Sequence, residues 1–114
     1  MAHPPLIAVT GEALIDLIVD PDDHVAAQPG GGPFNTARTI GRLGLAPAFL
    51  GGLSQDRFGA RLRAILDRDG VTLAVPTTAA PTTLALADVD PDGVARYHFY
   101  LAGTAACALE YPQR

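Results

Sequence analysis

The sequence predicts an α/β fold with a parallel sheet and a separate, smaller β-sheet segment. Three observations carry this. Short apolar β-type runs alternate with helix-type runs from Leu6 to Gly70. A glycine triplet, Gly30-Gly31-Gly32, runs straight into the first helix-type segment. A strand–turn–strand pattern over Thr83–Leu101 stands outside that alternation.

The elements follow in order. Leu6 to Thr10 is a short apolar run that suits a strand buried on both faces. Ala13 to Val19 continues it with Asp16 in the middle, and Asp20-Pro21-Asp22-Asp23 is a turn. A carboxylate inside an apolar run is costly unless satisfied. Asp16 therefore either points to solvent or accepts hydrogen bonds from a ligand. Pro33 to Leu43 reads as a helix, with Gly41 and Gly44 near its end, where glycine C-caps are common. Ala48 to Gly51 is the next strand. Asp56 is placed to N-cap a second helix whose Phe58, Leu62, Ile65 and Leu66 form one apolar face. Arg61, Arg63 and Arg68 fall off that stripe and read as its solvated side, and Gly70 ends the helix. A strand–helix–strand–helix order implies parallel pairing with right-handed crossovers. Thr83–Val89 and Val94–Leu101 flank Asp90-Pro91-Asp92-Gly93, a four-residue hairpin loop. In the second of these strands Arg96, His98 and Tyr100 alternate with Tyr97 and Phe99.

The glycine triplet leaves backbone N–H and C=O groups open to a ligand. Pro33 fixes φ for a first helical turn, and Asn35 adds an amide that both donates and accepts. A loop of this kind at a helix N-terminus can hold a polar or anionic ligand. It can also be a plain surface turn. Two common phosphate-loop readings fail. All eight basic residues are arginine, so no Gly-Lys-Ser/Thr ending exists. The Gly-x-Gly-x-x-Gly pattern has Asn35 in its third position, and His24 to Pro29 appears to separate the loop from the preceding strand.

Composition excludes several classes. The chain has 114 residues, room for one domain at most, with 48% hydrophobic and 18% charged residues. Net charge is −4 with scattered arginines, which argues against a nucleic-acid partner. No apolar run reaches membrane-spanning length. A single cysteine, Cys107, forms no internal disulfide and points to a reducing, cytoplasmic setting. His3, His24 and His98 lack metal-ligand spacing, so no metal site is expected.

Four separated motifs, in order, resemble the N-terminal portion of the ribokinase/fructokinase (PfkB) carbohydrate kinases. They are Ile7-Ala8-Val9-Thr10-Gly11-Glu12-Ala13-Leu14-Ile15-Asp16, Gly30-Gly31-Gly32-Pro33-Phe34-Asn35-Thr36-Ala37 with Gly44, Phe49-Leu50-Gly51-Gly52-Leu53-Ser54-Gln55-Asp56-Arg57-Phe58-Gly59, and Phe99-Tyr100-Leu101-Ala102-Gly103-Thr104-Ala105. Ser54 stands where the family signature has its last glycine.

The resemblance implies the N-terminal part of a ribokinase-like three-layer sandwich with a small β-sheet lid, whose strands cover about residues 13–28 and 82–101. It implies ATP-dependent phosphorylation of a sugar hydroxyl. Asp16, Gly31, Gly32 and Asn35 become substrate-binding residues, and Tyr97 and Phe99 become lid contacts, although ordinary packing is the favoured reading of those two rings. It implies a homodimer through the lid. ATP and Mg2+ would serve a full-length enzyme, with none expected on this chain alone. Leu101 stands where relatives acting on acidic keto-sugars often carry arginine, which favours a small neutral sugar such as fructose or ribose.

The family's catalytic aspartate lies in a Gly-Ala-Gly-Asp-like motif, and no such motif occurs in these 114 residues. No catalytic residue is therefore assigned. The ending Glu110-Tyr111-Pro112-Gln113-Arg114 suits a truncation. Two functions remain open: the sugar-binding part of a kinase, and a non-catalytic sugar-binding or dimerisation module on the same fold.

Overall fold

The computed structural model describes residues 7–108. Leu6, the expected start of the first strand, and the segment 109–114 lie outside the described residues.

Two sheets share one core. The first is parallel, with strand order β1-β4-β5: β1 is Ala8–Thr10, β4 is Ala48–Leu50 and β5 is Thr72–Leu73. The second is mixed, with order β3-β2-β6-β7: β2 is Leu14–Val19, β3 is Val25–Gly30, β6 is Leu84–Val89 and β7 is Ala95–Tyr100. β2 pairs antiparallel with β3 and parallel with β6, and β6 pairs antiparallel with β7. Helices α1 (Gly32–Arg42) and α2 (Arg57–Arg68) follow β3 and β4. The radius of gyration is 15.2 Å and the extents are 54 × 30 × 19 Å. A compact chain of this length would have a radius near ~13 Å, so the second sheet projects from the α/β part.

Most expected elements are present within a residue or two. β3 is the exception in the residue pattern, although the family resemblance implied lid strands over about residues 13–28. Val25–Gly30 is a strand that leads directly into the glycine triplet, so the expected gap before the loop does not exist. Its composition hid it: Val25-Ala26-Ala27-Gln28-Pro29-Gly30 carries one β-branched residue. It forms because Asp20 folds the turn before it. The Asp20 carboxylate accepts from the backbone N–H of Asp22 and His24 at 2.9 and 3.0 Å, which brings the chain back alongside β2. Pro29 is tolerated because β3 is an edge strand. The two-residue β5 was likewise not foreseen.

The core is built from both sheets. Phe34 and Ala37 of α1, Phe49 of β4, Leu62 and Leu66 of α2, and Ala13 and Ile15 at the root of β2 form one buried cluster. The Phe34 and Phe49 rings meet edge to face at 6.5 Å. Asp56 caps α2 as expected, accepting from the Gly59 N–H at 2.8 Å. Gly44 and Gly70 each follow a helix with positive φ, in the C′ position. Gly41 instead lies inside α1, where a side chain would strike the Asp69 carbonyl of the α2 terminus.

The C-terminal ends of the helices are joined by charge. The Arg38 Nε–H donates to Asp69 Oδ2 at 2.7 Å, with Arg42 at 3.8 Å from the other oxygen. The Asp69 side chain is 6% exposed. The Arg38 hydrogen bond, aided by the charges of Arg38, Arg42 and Arg68, outweighs the burial penalty and holds its carboxyl below the usual range. A depressed folded-state value stabilises the fold above pH ~4, and that contribution is lost as pH falls through it. Arg38→Ala leaves the Asp69 carboxylate with only the more distant Arg42 and should cost roughly 1–3 kcal/mol in urea unfolding at pH 7. The variant should also lose part of the wild-type decline in stability below pH ~4. An unchanged urea midpoint would contradict this account of the helix junction.

Candidate functional site

The C-terminal ends of β1 and β4 open towards the start of α1, the usual ligand position in an open parallel sheet. The Thr10 hydroxyl donates to the Leu50 carbonyl at 2.9 Å and ties these ends together. The connection from β1 to β2 then runs against the glycine loop. Gly31, with φ of 103°, is the N-cap of α1, and a Cβ there would lie 2.6 Å from the Glu12 carbonyl oxygen. Only glycine permits both that conformation and that approach. No side chain caps α1 and no acidic residue sits in its first turn, so its positive end is left to solvent or ligand.

Asp16 reaches the same place from the second sheet. It stands opposite Gln28 in the β2–β3 ladder, and its carboxylate lies over Gly30, where a Cβ would collide with Oδ2. Asp16 is half-buried, and among the described residues its carboxylate has no hydrogen-bond or ion-pair partner. Burial pushes its carboxyl above the usual value. The solvent-facing expectation therefore does not hold, and no donor among the described residues compensates the group.

Asn35 lies in the first turn of α1. Its N–H donates to the Gly31 carbonyl at 2.9 Å, while its side-chain amide is exposed. Gly32 is exposed, with open space where a side chain would stand. Gly31 and Gly32 thus join the strand end under Asp16 to the helix turn that carries Asn35.

The strand register adds Tyr97 and Phe99. Gln28, Asp16, Ala85 and Phe99 form one cross-strand row, and Ala26, Ile18, Ala87 and Tyr97 form the next. Residues directly opposite in a ladder share a face. Asp16 and the two rings therefore occupy the same face, Asp16 and Phe99 two strands apart at about 10 Å. Ordinary packing was the favoured reading of these rings, and it does not hold. Tyr97 and Phe99 are 60% and 59% exposed and stack on each other at 6.3 Å. The alanines beside them on β6 are too small to cover them. His98 is exposed, on the opposite face.

Two features escaped the sequence reading. Gly30, the seat of the Asp16 carboxylate, was indistinguishable from its two glycine neighbours. Arg61 and Arg63 are tethers as well as a solvated face. The Arg61 guanidinium donates to the Ala27 carbonyl of β3 at 3.1 Å, and the Arg63 guanidinium to the Ser54 carbonyl.

The family model described as pfkB family carbohydrate kinase matches residues 4–110. The chain belongs to that family. A probable fructokinase-5 of Arabidopsis thaliana is 38% identical over 119 residues, covering 96% of this chain and 37% of that protein. A crystal structure of the fructokinase of Xylella fastidiosa superposes with a TM-score of 0.82 at 32% identity, over 90% of this chain and 36% of the other. A second structure of that fructokinase, with bound ATP, gives a TM-score of 0.80. The fructokinase of Vibrio cholerae O395, in a form with fructose, ADP and a calcium ion, reaches 0.74 at 28% identity, over 91% of this chain and 34% of the other. The pfkB-family chain thus has the expected α/β class, with a ribokinase-like arrangement, and spans about a third of the curated relatives it matches. Among the described residues no group of three His, Cys, Asp or Glu is placed to hold a metal, and no helix is long and apolar enough to cross a membrane.

Gly30→Ala should be destabilising by about 1 kcal/mol, because the new methyl must displace the Asp16 carboxylate. Adding Asp16→Ala should restore most of that loss in thermal unfolding. Additive losses in the double variant would show that the carboxylate does not sit over Gly30.

Proposed function

We propose that this pfkB-family chain is the sugar-binding part and lid of an ATP-dependent kinase acting on a hydroxyl of a small neutral sugar, fructose foremost. One observation carries the reading: Asp16 is a half-buried carboxylate without a partner among the described residues, held beside the open glycine loop at the start of α1. Two adjacent sugar hydroxyls would donate to its two oxygens. The Asn35 amide and the Gly31–Gly32 backbone would bind further hydroxyls. The second sheet, over residues 13–28 and 82–101, would act as the lid, with Tyr97 and Phe99 presenting their rings to the sugar or to a second subunit.

Phosphoryl transfer needs an aligned hydroxyl, a base beside it and charge stabilisation of the moving phosphoryl group. The residues of this chain supply alignment and exclusion of water. They do not fit an ATP–Mg2+ site, having no lysine, no Gly-Ala-Gly-Asp-like motif and, among the described residues, no metal-holding cluster. On this reading, nucleotide and metal would be held by parts of a full-length kinase other than these residues. A site built to pair hydroxyls rejects analogues lacking them, since its own polar groups are then left unpaired. The relatives, fructokinases from plants and bacteria, support fructose. The exposed aromatic face also supports the second reading, a non-catalytic sugar-binding or dimerisation module.

Titration calorimetry with fructose tests the site. Asp16→Asn should weaken binding by about 1.5–3 kcal/mol, roughly ten- to 150-fold in Kd. The ligand-free chain should respond oppositely. The folded chain holds the Asp16 proton more tightly than the unfolded chain, so the ionised group destabilises the fold at pH 7 and this cost fades as pH falls. Asp16→Asn should therefore match or exceed wild-type Tm without sugar. Equal fructose affinity in the two proteins would contradict the role of Asp16.

The 114-residue chain should release no ADP from ATP in a sugar-dependent coupled assay, and turnover that co-purifies with it would contradict the division of labour proposed. Light scattering over a concentration series should show a dimer that Phe99→Ser weakens, whereas a monomer at all concentrations would exclude the aromatic face as a subunit contact.

A further inference from the structure

The second sheet is attached to the α/β part at a short segment, Pro81-Thr82-Thr83, just before β6. Between them, these residues are bonded to α2, to β2 and to the segment 104–106. The Thr82 N–H donates to Asp56 Oδ2 at 2.8 Å and its hydroxyl to Asp56 Oδ1 at 2.5 Å. The Thr83 carbonyl accepts from the Ile15 N–H of β2 at 3.1 Å. The Thr83 hydroxyl pairs with that of Thr104 at 2.7 Å and accepts from the Ala106 N–H at 3.0 Å. The Pro81 carbonyl accepts from the Ala105 N–H at 2.8 Å. The chain thus enters and leaves the β6–β7 hairpin through one knot, in which Thr82, Thr83 and Thr104 are all buried.

Asp56 is the part of the knot that belongs to α2. The same Oδ1 that takes the Thr82 hydroxyl also takes the Gly59 N–H and caps the helix. Burial alone would raise this carboxyl, but hydrogen bonds from Thr82, Gly59 and Ser54 outweigh it and hold it below the usual value. The carboxylate is thereby kept ionised, with both oxygens engaged. One turn further along α2, Arg61 grips the Ala27 carbonyl of β3. Helix α2 therefore holds the second sheet at β3 and at the entry to β6, one on each side of β2, the strand that carries Asp16.

We infer that Asp56 is a positioning residue: its grip on Thr82, with the Arg61 tether as a second point, locks the attitude of the second sheet to helix α2. The sheet cannot tilt against α2 without breaking these bonds. Asp16 rides on that sheet while Asn35 is fixed to the α/β part, so the lock sets the distance between them. This last consequence rests on the sugar-site reading above; the lock itself does not.

Substitution can separate the lock from the helix cap. In Asp56→Asn, the amide oxygen can still accept from Gly59, but the amide NH2 then opposes the Thr82 N–H, where no hydrogen bond is possible. Thr82→Val removes the hydroxyl and leaves Asp56 intact, and Thr82→Ser restores it. Amide hydrogen exchange on the 114-residue chain, read separately for α2 and for β2, β6 and β7, is the measurement. Asp56→Asn and Thr82→Val should each speed exchange in the second sheet at least tenfold while α2 amides change little, and Thr82→Ser should return to wild-type protection. Equal acceleration in α2 and the sheet, or no change in the sheet in either variant, would overturn the lock. Fructose titration of the same variants separates the two claims. Faster sheet exchange with weakened fructose binding supports both. Faster sheet exchange with unchanged fructose binding supports the lock and overturns the sugar-site reading.

Discussion

The arrangement depends on one close backbone approach, that of the Glu12 carbonyl to Gly31. The β1–β2 connection belongs to the parallel sheet on one side and to the projecting sheet on the other. Where it crosses the start of α1 there is room for backbone alone. This contact puts the open end of α1 beside the root of β2. It places Asp16 two residues beyond the buried Leu14, where the strand leaves the core. It also lets Ala13 and Ile15 fill the space beside Phe34 and Phe49, so that one hydrophobic cluster serves both sheets. The burial that stabilises the α/β part and the geometry that assembles the site therefore share a cause. A side chain at Gly31 would disturb both together.

Asp16 shows how such a site carries its cost. A carboxylate with no partner inside a strand is unfavourable, and its raised pKa is the measure of that. The strand tolerates it because the group is half-exposed and because glycine at position 30 gives it space. Strained or under-satisfied groups that persist in a folded chain cluster at functional positions. The neighbouring carboxylate of Asp56 is the opposite case. It accepts three hydrogen bonds from Gly59 and Thr82, and its pKa is lowered. Among the described residues one carboxylate has no partner, while the other bridges helix α2 and the segment before β6.

Much of this was legible in the sequence. The apolar periodicity of Phe58, Leu62, Ile65 and Leu66 marked α2, and Asp56 marked its cap. Asp90-Pro91-Asp92-Gly93 marked the hairpin, and the asymmetric glycine triplet marked the start of α1. Other features were hidden for physical reasons. β3 has little β-propensity and exists because β2 offers a partner and Asp20 turns the chain back, which are tertiary causes. The exposure of Tyr97 and Phe99 follows from the alanines at positions 85 and 87, which face them only once the β6–β7 register is set. The bonds of Thr82 to Asp56 span 26 residues, and no local pattern foretells a contact of that kind.

The central claim is that Asp16, the glycine loop and the first turn of α1 form one ligand site. Backbone amide chemical shifts of the isotopically labelled chain, followed during a fructose titration, test it most directly. The account predicts saturable shifts concentrated at Asp16, Gly30 to Gly32 and Asn35, with the C-terminal ends of α1 and α2 around Arg42 and Asp69 unaffected. Saturable shifts centred on that opposite end, or none at Asp16 and the glycine loop at any fructose concentration, would contradict it.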